Sequence, residues 1–225
     1  MSWSDWARGP EIAPSLYAAD FARLGEQIQE MLDAGVRIFH FDTGDGHFVP
    51  PVTIGPIVLE SISKLIHDGG AHLDCHLMVE QPERHFEAFA KAGGDSVTVH
   101  YEACDDLPAV YEQARALGLG VGLAFNPETS PEDAAAASEG TDFVNCMSIH
   151  PGYSGQAFMP EALPRIRRLR ELLPPERLIE VDGGVGEENA RELRGAGVDV
   201  FVAGTSVFGH DDPVQAYRRL ADLVA

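Results

Sequence analysis

The stretch Val36–Pro50, VRIFHFDTGDGHFVP, opens on seven residues that decide how the chain is built. VRIFHFD is apolar enough for a buried strand, yet it closes on His40 and Asp42. Alternate strand residues share a face, so these two polar side chains stand together where a core would take Val or Leu. Left unpaired, each would cost roughly 2–7 kcal/mol. Either the fold or a bound group must satisfy them. Seven other runs have the same strand-like character: EIAPSL (11–16), HLDCHLM (72–78), SVTVHY (96–101), GVGLAFN (120–126), FVNCMSI (143–149), LIEVDGG (178–184) and VDVFVAG (198–204). Amphipathic stretches lie between them, among them DFARLGEQIQEMLDAG, LPAVYEQARALG and EENARELRGAG, several closing on a glycine suited to a helix C-terminus. Eight strands alternating with eight helices predict a parallel sheet. In 225 residues that is a single-domain (β/α)8 TIM barrel over residues 1–225, with a doubly wound sheet of fewer units as the alternative.

Composition narrows the function classes. The chain is 44% hydrophobic and 23% charged, ordinary for a soluble globular protein. Its formal charge of -20 disfavours nucleic acid and anionic membrane as partners. Cys75, Cys104 and Cys146 are dispersed and odd in number, which speaks for a reducing compartment rather than a disulfide scaffold. The opening MSWSDWARGP has no apolar segment of the secretory kind and no run approaches a membrane span, so the expected location is cytoplasmic.

Barrel enzymes place their active sites at the C-terminal ends of the strands. Read there, the runs end near Ser15, at His40 and Asp42, at His76, His100, Asn126, Met147, Asp182 and Gly204. Any one of these is as readily a satisfied rim group; His40, Asp42, His76 and Asp182 together point to a site. Two histidines and two aspartates form a mixed N/O donor set that suits one divalent cation, Zn, Fe(II), Mn or Co, with a metal-free His–Asp hydrogen-bond network as the alternative. Three glycine-rich turns follow the late strands: PGYSGQ (151–156), DGG (182–184) and AGTSVFG (203–209). Backbone N–H groups in such turns bind phosphate, although any single one makes sense as a tight turn alone. The two lysines, Lys64 and Lys91, fall in helical patterns, which excludes a Schiff-base aldolase. What remains is acid–base chemistry on a sugar phosphate. Two aspartates on opposite sides of a carbon could take a proton from one face and return one to the other, a cation steadying the enediolate between.

These residues lie in longer motifs: IAPSLYAADFARLG, HFDTGDGHFVPPVTIGP, DCHLMVEQPERH, VTVHYEA, NPETSPE, MSIHPGYSGQAFMPEALPRIRRLR, EVDGGV and AGVDVFVAGTSVFG. Taken in order they resemble the ribulose-phosphate 3-epimerase family along nearly the whole chain. The resemblance implies interconversion of D-ribulose 5-phosphate and D-xylulose 5-phosphate in the pentose phosphate pathway by a homo-oligomer, dimer or hexamer. It implies a metal held by His40, Asp42, His76 and Asp182, with Asp42 and Asp182 as proton acceptor and donor. Substrate contacts would come from Ser15, His76 and Asp182, and a phosphate grip from Gly152, Tyr153, Ser154, Gly155, Gly183, Gly184, Gly204 and Thr205. Met78 and Met147 match two of three methionines that cap the family's metal.

The third methionine is replaced by Gly44, which is expected to leave space and add backbone freedom. In the first phosphate turn, His150, Tyr153 and Ser154 depart from the usual NPGFGGQ, and Ser154 adds a hydroxyl. An epimerase of another ketose phosphate, D-allulose 6-phosphate, is therefore the alternative, and a non-catalytic sugar-phosphate sensor a further one. Retention of both Asp42 and Asp182 argues for an enzyme. Related decarboxylases carry Asp-x-Lys on strand three, where this chain has Asp74-Cys75-His76.

Overall fold

The structure, a computed structural model, describes residues 3–225; Met1 and Ser2, the start of the run read for a secretory signal, lie outside the described residues. Those residues form eight parallel strands: β1 (Glu11–Pro14), β2 (Ile38–Gly44), β3 (His72–Met78), β4 (Ser96–His100), β5 (Gly120–Phe125), β6 (Phe143–Met147), β7 (Leu178–Asp182) and β8 (Val200–Ala203). Strands pair in the order β1-β8-β7-β6-β5-β4-β3-β2, and a parallel bridge from Ser15 to His40 joins the two ends. The sheet is thus a (β/α)8 barrel. A short helix, α1 (Trp3–Trp6), precedes β1. The helices wrapping the barrel are α2 (Leu24–Asp33), α3 (Pro56–Asp68), α4 (Phe86–Ala92), α5 (Leu107–Ala116), α6 (Pro131–Ala137), α7 (Ala162–Leu172), α8 (Ala190–Ala196) and α10 (Pro213–Val224), with one turn, α9 (Thr205–Phe208), inserted after β8.

The alternation read in the strands separates two environments. Outward positions such as Phe39, Phe41, Leu73, Leu77, Val97 and Val99 pack with helix residues Ile28, Leu59, Ile66 and Leu193 in one continuous core. Burial of each large apolar side chain there stabilises by about 1.5–3 kcal/mol. Inward positions change character along the barrel. Its lower end is apolar, with Trp3, Trp6, Ala13, Ile38, Phe143 and Val200 packed together and the Trp3 and Phe143 rings 4.1 Å apart. So α1 plugs the bottom, and the polar inward positions lie toward the other end. Asp106, Ser130 and Asp212 begin α5, α6 and α10 by accepting a backbone N–H three residues on, with proline in the first turn of each.

Strand ends differ from the sequence reading by a residue or two. β1 stops at Pro14, because Ser15 makes only the closing bridge, and β2 continues past Asp42 to Gly44. Lys64 on α3 and Lys91 on α4 are exposed and pair with Asp68 and Glu87, outside the barrel. Among the described residues no helix is long and apolar enough to cross a membrane.

Candidate active site

Parallel register sets Asp42 beside His76 on adjacent strands. Asp182 ends β7, which stands three strands from β2 around the barrel, so its side chain reaches the group from the far side. The atoms that converge are His40 Nε2, His76 Nδ1, Asp42 Oδ1 and Asp182 Oδ2. The two histidine nitrogens are 3.2 Å apart, and Asp42 Oδ1 lies 3.2 Å from His40 and 3.1 Å from His76. Asp182 Oδ2 lies 3.7 Å from His40 Nε2 and 3.3 Å from His76 Nδ1. Four N/O ligands held tetrahedrally at about 2.0–2.1 Å stand about 3.3 Å from one another. The spacing of these four atoms therefore fits a divalent metal ion.

Electrostatics agree with that fit. Burial disfavours a charged His40, but Asp42 beside it, with Asp74 and Glu180 behind, pushes its pKa well above 6.5. For His76, burial is likewise outweighed, here by hydrogen bonds to Asp182 and Asp42, and the pKa rises to about 9. Burial opposes the Asp42 carboxylate, yet the two imidazoles hold it ionised, below the ordinary range. In the absence of a cation the cluster thus keeps protons between its carboxylates. A dication would replace them.

Above the cluster opens a cleft lined by Ser15, Asp42, Met78, Met147 and Asp182 at one end and by the turns at 151–155, 183–185 and 204–206 at the other. Ser15 Oγ donates to Asp42 Oδ2 at 2.5 Å and fixes that carboxylate. At the turn end, Gly183 and Gly184 have φ of 119° and 63°. A Cβ on Gly183 would sit 2.3 Å from Ile149 Cγ1, and one on Gly184 2.4 Å from the Phe158 nitrogen. Only glycine fits there, leaving bare backbone at the cleft. The Ser206 Oγ is buried at the same end without a hydrogen-bond partner among the described residues. An unpaired buried hydroxyl beside bare backbone is the arrangement an oxyanion would complete.

Every residue expected at the site from sequence lies in this region, but not all at its surface. Gly152, Tyr153, Ser154, Gly155, Gly204 and Thr205 line the cleft, whereas His40 and His76 are 0% exposed beneath it. The expectation for Gly44 is corrected. No space is left there, since a Cβ would stand 2.8 Å from both the Pro51 carbonyl oxygen and Val49 Cγ2. The loop after β2 has folded onto the glycine and filled the room. Sequence reading passed over Tyr17, Ile149 and Ser206 in the lining, and the polar residues below it. Asp74 Oδ2 faces His40 Nδ1 at 3.3 Å and accepts from Thr98 Oγ1, while Ser96 Oγ donates to Asp74 Oδ1. The side chains of Glu180 and Asn145, fully buried inside the barrel, have no hydrogen-bond partner among the described residues. Inward alternation along β3, β6 and β7 was the signal that could have found them.

Comparison with known proteins adds an independent line. The model of the "Ribulose-phosphate 3 epimerase family" matches residues 11–208. A Bacillus subtilis (strain 168) protein named ribulose-phosphate 3-epimerase is 38% identical over 214 residues, spanning 93% of this chain and 97% of that protein. One of the same name from Mycobacterium bovis is 40% identical over 215 residues, spanning 94% and 92%. Among solved structures, 3-hexulose-6-phosphate synthase from Salmonella typhimurium superposes with a TM-score of 0.73 at 16% identity, over 95% of this chain and 98% of that one, a likeness of fold alone.

Proposed function

The chain belongs to the ribulose-phosphate 3-epimerase family, and on that premise we propose that it interconverts D-ribulose 5-phosphate and D-xylulose 5-phosphate by moving the proton on C3. The observation that carries this reading is the pair of carboxylates. Asp42 and Asp182 enter the cleft from strands on different sides of the barrel, with bare glycine backbone at its other end. A substrate whose phosphate lies on the turns would present its carbonyl end to the aspartates. Asp42 Oδ1 and Asp182 Oδ2 face the histidines, so Asp42 Oδ2, steadied by Ser15, and Asp182 Oδ1 are left to handle the proton. One carboxylate takes the C3 proton from one face, giving an enediolate. The other returns a proton to the opposite face, and the roles exchange in reverse. Met78 and Met147, 3% and 1% exposed, exclude water from the reacting carbon. His40, His76, Asp42 and Asp182 would hold a divalent cation, which when bound would supply Lewis-acid stabilisation of the charge that gathers on the substrate oxygens, and Zn, Fe(II), Mn and Co all suit these donors. A cytoplasmic, homo-oligomeric enzyme of the pentose phosphate pathway completes the reading.

The test is turnover of purified protein, stripped of metal and then reloaded, on D-ribulose 5-phosphate and on D-allulose 6-phosphate. We expect C3 epimerisation of the pentose phosphate, abolished by chelation and restored by a divalent transition metal. Preferred turnover of the hexose phosphate would reassign the substrate. Tight binding of either sugar without turnover would make the protein a sensor, and full turnover of metal-free protein would remove the cation from the mechanism.

A further inference from the structure

The two histidines of the cluster present different nitrogens: His40 turns Nε2 inward and His76 turns Nδ1. A histidine bound through one nitrogen carries its proton on the other, and whatever accepts that proton sets which nitrogen is free. For His76 the outward nitrogen is Nε2, and it lies 2.8 Å from Nε2 of His100, which is 0% exposed. A hydrogen bond between two Nε2 atoms holds one proton. If His76 supplies it, His100 must accept through Nε2 and carry its own proton on Nδ1. Among the described residues that nitrogen faces Glu102 Oε2 at 3.4 Å, an ion-pair contact outside hydrogen-bond geometry, and it has no other hydrogen-bond partner. Glu102 is itself fixed at the barrel rim, its Oε1 accepting the Asn126 N–H at 2.8 Å and the Thr129 hydroxyl. Arg165 donates to the Asn126 carbonyl oxygen at 2.6 Å and pins the same loop. The ring of Phe48 packs against the imidazole, its centroid 4.8 Å from that of His100.

We propose that His100 and Glu102 are positioning residues: the line Glu102–His100–His76 locks His76 in the Nε2–H form, so that Nδ1 is the free donor at the metal cluster. His40 differs: among the described residues its Nδ1 has no hydrogen-bond partner and faces the fully buried Asp74 at 3.3 Å, an ionic contact. The two ligand histidines are thus oriented by unlike devices, one a buried carboxylate and the other an imidazole leading to a carboxylate at the rim. This inference rests on His76 being a metal ligand.

The experiment uses the full chain loaded with Zn2+. Long-range 1H–15N spectra of the histidine rings are expected to show His76 with a proton on Nε2 and metal-shifted Nδ1, and His100 with a proton on Nδ1. Zn2+ affinity, read by competition with a chelator, should fall about 10- to 100-fold in His100→Phe and in Glu102→Leu. Glu102→Gln keeps an oxygen that can accept from His100, so it should restore near wild-type affinity and the same His76 tautomer. A role confined to packing would lower Tm in these variants without moving affinity or tautomer. Metallation of His76 through Nε2, or wild-type Zn2+ affinity in folded Glu102→Leu, overturns the relay. The wild-type spectra decide the matter even if His100→Phe fails to fold. Absence of stoichiometric Zn2+ binding overturns the metal reading and the relay with it, whereas Zn2+ binding without epimerase turnover would count against the proposed substrate alone.

Discussion

Replacing Asp182 by Asn isolates one half of the proposed proton transfer. Asparagine keeps the shape of the side chain and an oxygen that can still face His76, whose Nδ1 is 3.3 Å from Asp182 Oδ2. It removes one of the two negative charges among the four converging atoms, and it removes the base. Loss of a placed acid or base costs about 10² to 10⁴ in rate, and weaker cation binding adds to that. We expect kcat to fall at least about a thousandfold, or about 4 kcal/mol of barrier. Titration of the variant with the divalent cation separates the two contributions, since saturation recovers only the binding part. The assay is proton NMR in D2O, started from each epimer in turn. With the cation bound, Asp42 still serves one face of C3, so the variant exchanges the C3 hydrogen of one epimer with solvent while forming little of the other. Asp42→Asn should show the opposite preference. Near wild-type epimerisation by either variant, or product that retains the substrate's own C3 hydrogen, would refute two-carboxylate transfer.

Three further outcomes follow from the geometry. The folded-state pKa of His76 is raised from 6.5 to about 9, so its contribution to the stability of metal-free protein is complete below pH 6.5 and fades as pH rises through about 9. A dication must displace that proton; Zn2+ binding at pH 7 should release protons, measured calorimetrically in buffers of different ionisation heat, and affinity should rise with pH across this window, whereas no release would contradict the assignment. Gly184→Ala forces a residue with φ of 63° against the Phe158 nitrogen at 2.4 Å, so thermal unfolding should come several degrees lower and KM for the sugar phosphate should rise; an unchanged Tm would show that the turn yields. Loss of the substrate's phosphate removes two or three charge-assisted hydrogen bonds of about 1.5–3 kcal/mol each, so kcat/KM for the unphosphorylated ketose should drop at least about a hundredfold, and equal values for the two sugars would remove the role given to the turns.

Much of the architecture is local and therefore legible along the chain. Each strand announces itself by an alternating run of a few residues, and each helix by its amphipathic period and the glycine or proline at its ends. Eight repeats of that pattern leave few ways to bury the apolar faces, and a parallel barrel is the one adopted. Once the barrel is granted, strand ends place His40, Asp42, His76 and Asp182 at one mouth without further information.

Other features depend on contacts between residues far apart in sequence. Nothing near His76 says that its Nδ1 and not its Nε2 faces Asp182; ring orientation follows from His100 on the next strand. Nor does a local pattern reveal that Ser15, just past a strand end, both closes the barrel against His40 and holds Asp42. The glycine at 44 reads as an opening, and becomes a packed contact because Val49 and Pro51 return onto it. Local sequence determines backbone period and therefore element, face and order. Side-chain direction and the filling of space are set by neighbours that only the closed barrel brings together.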